Sequence, residues 1–449
     1  MKEYISCNQR ELFAETDSGT IQNAIAAAVA DGCRKVLIPR YNLRTDKTEW
    51  RIDKAIEIPS EMTLILDNCY MVQETGVYDN MFRNSLALTQ HHTLETEQHD
   101  IAVLGVGNVR LSGGVHNGLL ERTCGKNGFP KSIQCNHIFL WINVRGLRLE
   151  NIYFENQRYW AVNHIYCRDV KMKNLDFFAY PHVPNMDGID LRVGCRDFEI
   201  ENITGRTGDD TVAMTAIMGN NETAARVEGK TTDICNVKVR NVISDANRML
   251  NVRMLTQDGV LLHDIDVDTV MDSSAWETKV YCKAALGLGT QGALYVKVCR
   301  AKPGDLSRIT ARNIYTRGAI AVRFDDACTD STFTNIKTFN TCFTGIGTVG
   351  FGCVLKNITV DGMYCGANKS DRQRGWVDGY QPTAVVRMPQ TTGELTVKNV
   401  QHDGLEYLCQ GTDGLNVTFE NCETARVGAV TDVMGAGVIA MNGEVYRGE

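Results

Sequence analysis

The stretch NMDGIDLRVGCRDFEIENITGRTGDDTVAM, residues 185–214, carries Asp187 and Asp190 and then the pair Asp209–Asp210. Asp187 and Asp209 lie 22 residues apart, each beside a glycine and a short run that reads as a strand. A coil of that length returns the chain to the same azimuth one rung away, roughly 4.8 Å. Asp187 and Asp209 are then expected on one face. Asp210 joins them only if TGDDT bends, because consecutive strand residues point to opposite faces. Gly208 permits such a bend. Three carboxylates within about 10 Å repel one another, and like-charge crowding favours a proton on at least one of them. Stability gains nothing from that crowding, whereas glycoside hydrolysis requires it. One protonated carboxyl gives its proton to the leaving oxygen and one carboxylate activates water. Asp and Gly are also ordinary turn formers, so on spacing alone DG and GDD are equally readable as turns and nothing more.

The elements that would position these turns repeat along the chain. Short β-branched runs recur from Ile101 to about residue 430: LRLENIYF, VKMKNLDF, FEIENITG, VKVRNVIS, ITARNIYT, VLKNITV, LTVKNV and VTFENCE among them. Their asparagines fall at 151, 174, 202, 241, 313, 335, 357, 399 and 421, with several gaps of 22 or 23 residues and others long enough for insertions. Repeats of short strands at this period predict a β-solenoid. Asn tolerates left-handed geometry at a bend, and stacked Asn amides form hydrogen-bonded ladders. A propeller needs a unit of roughly 40–50 residues, so the period argues against it. DSGTIQNAIAAAVADG, residues 17–32, reads as a helix and RKVLIPR as the first strand after it, together spanning about 17–40. This helix is expected to cap the open end of the core. No Pro-, Gly- or Ser-rich linker interrupts the chain, so 1–449 is expected to be one domain.

Of the 449 residues, 43% are hydrophobic and 22% charged, enough for a sizeable core. The net charge of −7 argues against nucleic acid as a partner. No run is long and apolar enough to cross a bilayer, and MKEYISCNQRELFAE has no apolar signal region. Sixteen cysteines include no CxxC pair and no zinc-ligand spacing, so neither a metal nor a cofactor is expected. Reduced, buried thiols in a cytoplasmic protein are the expectation, and homo-oligomerisation is left open.

NMDGID followed by GDDTVAM resembles the NTDGID…GDDCIAI pair of the polygalacturonase family of glycoside hydrolases. The likeness extends over most of the chain, through TIQNAIAAAVADGCRKVLIP, NVRLSGGVHNGL and RYWAVNHIYCRDVKMKNLDF. It implies an all-β, single-stranded right-handed parallel β-helix and an inverting mechanism on pectin-derived or related oligosaccharides. By the same resemblance Asp209 matches the general acid, and Asp187 and Asp210 match the pair that holds and activates water. The sequence departs from the family pattern in the next two coils. Where the family carries a GHG turn, this chain has SDANRMLNVRML, with Arg248 and Arg253 and no His. Where the family carries RIK, ALYVKV offers Lys297 at the Lys position and Tyr295 in place of Arg. Lys297, with Arg253, is the expected holder of an acidic sugar's carboxylate; a neutral sugar is the alternative.

Trp160 and His164 in RYWAVNHIYC stand one coil before Asp187, and His182 on the turn leading into it. A stacking platform and imidazoles lining subsites are expected there, against ordinary core packing. Asp190 reads as supporting, and the pair Asp325–Asp326 in AVRFDDACTD as a turn outside the motif. Two other functions fit the same architecture: a β-helix lyase or fructotransferase, and a non-catalytic glycan-binding solenoid.

Overall fold

The computed structural model describes every residue except 1, 116–135, 181, 182, 184, 248, 258, 275–282, 290–299, 340–343, 349–352, 367–382, 411–413, 433–436, 442, 443, 448 and 449. His182, Arg248, Tyr295 and Lys297 therefore lie outside the described residues. The fold is a right-handed parallel β-helix in which long and short strands alternate along the chain. The described residues divide into two compact units, Met1–Gly208 with Gly219–Thr232, and Asp209–Met218 with Asp233–Glu449.

In the first unit the short strand Ile5–Ser6 and a 3-10 turn at Arg10–Leu12 precede the helix Asp17–Asp31. Thr16 caps it, its Oγ1 accepting from Gly19 N at 3.1 Å, and Gly32 ends it with φ +78°. The helix buries Ile21, Ala24, Ile25 and Ala28. Gln22 exchanges hydrogen bonds with the Glu57 backbone, tying the helix to the strand Ile56–Ile58. Long strands Val144–Glu155, Arg168–Phe178 and Arg196–Arg206 then run parallel, with columns such as Leu149–Met172–Ile200 and Ile152–Leu175–Ile203 turned inward. Phe154 stacks on Phe177 at 4.8 Å in the same core. Each such aliphatic or aromatic side chain contributes about 1.5–3 kcal/mol by leaving water.

The second unit repeats the scheme. Val239, Val267, Ala311, Phe333, Val360, Val397 and Phe419 form one buried column across its long strands. Val212, Val252, Leu286, Val322, Ile346, Val386 and Cys409 form another across the short ones.

The recurring asparagines do what their spacing predicts. All nine have φ between 51° and 60°. Their amides ladder within each unit, Asn174 to Asn151 at 2.7 Å and Asn202 to Asn174 at 2.9 Å, then Asn335 to Asn313 and Asn421 to Asn399, each at 2.6 Å. Where the repeat slips, an aspartate accepts instead, as Asp361 does from Asn399 at 2.7 Å. The described cysteines are free and mostly buried. Burial pushes the thiols of Cys69, Cys167, Cys328 and Cys353 up to about 12, so they stay protonated and inert.

Candidate active site

In the first unit, Asp187 sits in the turn before the strand Ile189–Leu191 and is 4% exposed. The backbone of that turn is held by the coils before and after it. Asp187 O accepts from Ala161 N at 3.0 Å and from Gln157 Nε2 at 3.2 Å, while Met186 O accepts from Gly208 N at 2.9 Å. Met186 also packs with Ala179 and Val183. Gly208 is required by close approach, since a Cβ there would meet Val183 O at 2.7 Å and Met186 Cβ at 2.8 Å. The sequence suggested a conformational reason for this glycine; the structural reason is space.

Of the residues expected to line subsites around Asp187, the described ones, His164 and Trp160, pack against their neighbours. His164 is fully buried, its Nδ1 on Asp190 O at 3.1 Å and its ring edge-on to Phe198. Burial pushes it down to about 4, so it is a neutral core histidine rather than a group facing substrate. Trp160 is half-buried. Its ring stacks with Tyr159 at 4.8 Å and carries the Arg192 guanidinium at 4.8 Å, and Arg192 in turn pairs with Glu222 at 2.7 Å. His137, which the sequence did not single out, lies against the same aromatic pair and is pushed down to about 3 by burial. Asp190 is also buried.

In the second unit, Asp209 and Asp210 occupy the turn before the strand Val212–Ala216. Their surroundings differ. Asp210 is fully buried, with Oδ1 accepting from Leu250 N at 3.0 Å and Oδ2 paired with Arg253 Nη1 at 3.0 Å. Asp209 is half-buried, and its Oδ1 accepts from Asp210 N at 3.0 Å. Arg253 reaches Asp210 because strands Val212–Ala216 and Leu250–Thr256 pair with Ala213 opposite Arg253. Arg253 was expected to face a substrate carboxylate. It is 6% exposed and committed to Asp210.

Lys283 belongs to this cluster too. It precedes the strand Ala284–Leu288, within the fields of Asp209, Asp210, Arg253 and Arg323, and burial lowers its pKa. No motif or spacing marks it in the sequence. A buried carboxylate locked by a guanidinium and a backbone amide, with a half-buried carboxyl on the preceding residue, suits one fixed group and one group that exchanges a proton.

No family model matches the sequence, and no curated protein does. Solved structures are similar in fold. The tailspike protein of E. coli bacteriophage HK620, determined with a hexasaccharide, aligns over 97% of this chain and 80% of its own at 12% identity, with a TM-score of 0.64. PfbA, a surface adhesin of Streptococcus pneumoniae, aligns over 99% of both chains at 12% identity, with a TM-score of 0.55. An exopolygalacturonase of Yersinia enterocolitica aligns over 98% of this chain and 78% of its own at 12% identity, with a TM-score of 0.47. At such identities the likeness concerns the β-helix fold alone.

Proposed function

We propose that the protein is an inverting glycoside hydrolase that acts on pectin-derived or related oligosaccharides. Asp209 serves as the general acid, and Asp187 and Asp210 hold and activate the attacking water. The observation that carries this reading is the asymmetry of the Asp209–Asp210 pair. Leu250 N and Arg253 immobilise one carboxylate in full burial, while its neighbour stays half-buried beside it. The coil-length repeat of the Asp187 turn supports the third carboxylate. In this reading Arg253 positions Asp210 and does not contact substrate. Lys283 supplies positive charge around the two carboxylates.

The test is to incubate purified protein with pectic and neutral oligosaccharides and read the products by mass. Addition of one water per cleavage supports hydrolysis, and an unsaturated product absorbing near the ultraviolet edge would instead indicate elimination. Binding without turnover on every glycan would favour a non-catalytic solenoid.

A further inference from the structure

The first unit contains a cleft of about 660 Å³ lined by Tyr70, Gln73, Ser112, Glu155, Asn156 and Tyr180, with Arg51 at its edge. Such a volume lies within the roughly 300–1,000 Å³ of ordinary small-ligand sites. The residues come from separate coils, so only the stacking of the solenoid brings them together. The cleft wall runs into the turn of Asp187. Gln157, which follows Asn156, donates to Met186 O and Asp187 O, and Tyr180 lies on the segment leading to that turn.

Its chemistry is one-sided. Gln73 is 2% exposed and uses its Nε2 on Asp79 O at 2.9 Å, yet its Oε1 has no partner among the described residues. Asn156 Oδ1 is likewise buried without a partner among them. A buried carbonyl left without a donor is costly, and one lining a cleft is a place for a ligand's donor. The cations nearby have their donors engaged, and the buried Arg158 donates to the carbonyls of Gly113, Val77, Gln73 and Glu74. Arg51 pairs with Glu49 at 2.8 Å, and Arg110 pairs with Glu155 at 2.6 Å while lying over the Tyr70 ring at 5.2 Å. Tyr180 is 38% exposed and offers an aromatic surface.

We infer that this cleft binds a neutral sugar unit through its hydroxyl groups. Hydroxyls bring the donors that Gln73 and Asn156 lack, and the apolar face of a pyranose suits Tyr180. A uronate carboxylate brings only acceptors, and would meet Glu155 and two carbonyl oxygens with no unmatched cation among the lining residues. The inference takes glycans as the ligand class from the proposed function, and adds that the unit bound here is uncharged.

The experiment is calorimetric titration of the full chain, in an Asp209→Asn background to stop turnover. The probes are neutral gluco-, galacto- and manno-oligosaccharides, and oligogalacturonides of matched length. A neutral series should bind, and Tyr180→Ala should weaken it about tenfold, the scale of one aromatic contact with its buried area. Gln73→Leu should weaken it further, and a thermal melt will show whether that variant folds. The exposed Tyr180→Ala decides the matter if it does not. Oligogalacturonides binding while every neutral series fails, or neutral binding indifferent to Tyr180, would overturn the inference. Turnover by the unmutated chain is read separately. Hydrolysis of oligogalacturonides with no neutral binding removes the neutral-sugar site and leaves the hydrolase. Tyr180-dependent neutral binding with no hydrolysis of any glycan does the reverse.

Discussion

The second unit contains two adjacent-aspartate turns, and they are solved differently. At Asp325–Asp326 both carboxylates are buried and each has its own arginine. Asp325 pairs with Arg323 at 2.6 Å, and Asp326 with Arg300 at 2.5 Å. At Asp209–Asp210 the second residue is fully buried against Arg253, and the first is half-buried. The same dipeptide is therefore a neutralised structural element in one place and a candidate acid beside a fixed base in the other. Spacing alone reads both as turns, and in the sequence only the motif resemblance sets Asp209–Asp210 apart. The half-burial of Asp209 separates them in the structure.

The sharpest way to break this comparison is to replace one carboxyl group in each turn by an amide. Asp209→Asn preserves shape but deletes the acid, and kcat should fall by roughly 10²–10⁴ if general-acid catalysis is lost. Asp187→Asn and Asp210→Asn should be similarly damaging. Asp325→Asn should leave kcat of the folded enzyme within about twofold, as expected for a residue outside the transition state. Equal losses at Asp209 and Asp325 in steady-state kinetics would erase the distinction.

Stability should show the opposite order. Asp325→Asn removes the carboxylate paired with the buried Arg323 guanidinium, and breaking such a pair costs about 3–5 kcal/mol. Urea unfolding should place that variant well below Asp209→Asn, whose carboxyl is half-exposed.

A pH series sharpens the contrast between a group that works by titrating and groups that are held from titrating. His164 and His137 are buried neutral, at about 4 and about 3, against an ordinary 6.5. The unfolded chain binds protons at these histidines below pH 6.5 and the folded chain does not. Their stabilising effect is therefore fully present above pH 6.5 and lost as the pH falls toward 4. The slope should approach about 1.4 kcal/mol per pH unit for each histidine. In urea titrations between pH 7.5 and 5, His164→Gln should reduce that slope.

The smallest effect belongs to the ladder that spaces the coils. Asn335→Gly keeps the positive φ but removes the amide bonds to Asn313 and to the Tyr315 hydroxyl. About 1 kcal/mol should be lost, with no change in kcat, by unfolding and kinetic assays.

What the sequence disclosed follows from local rules repeated. Each Asn before an aliphatic residue marks a left-handed bend, so the coil length, the parallel β-helix and the Asp187–Asp209 spacing were legible. What it hid is pairing across coils. Nothing near Arg253 says that its guanidinium will fall on Asp210 rather than stand open. Nothing in ETKVYCKAALGL marks Lys283. Gln73, Asn156 and Tyr180 have no common period, because their meeting depends on how particular loops pack. His164 shows the converse. It looks like a site residue by proximity to the motif, but strand alternation and burial turn it into the core.

The central claim is that Asp209 acts as acid while water, held by its neighbours, attacks from the opposite side. The measurement is NMR of the first-formed product from the oligosaccharide that the screen identifies, taken before mutarotation. Inverted anomeric configuration is the predicted result, and retained configuration would contradict the account.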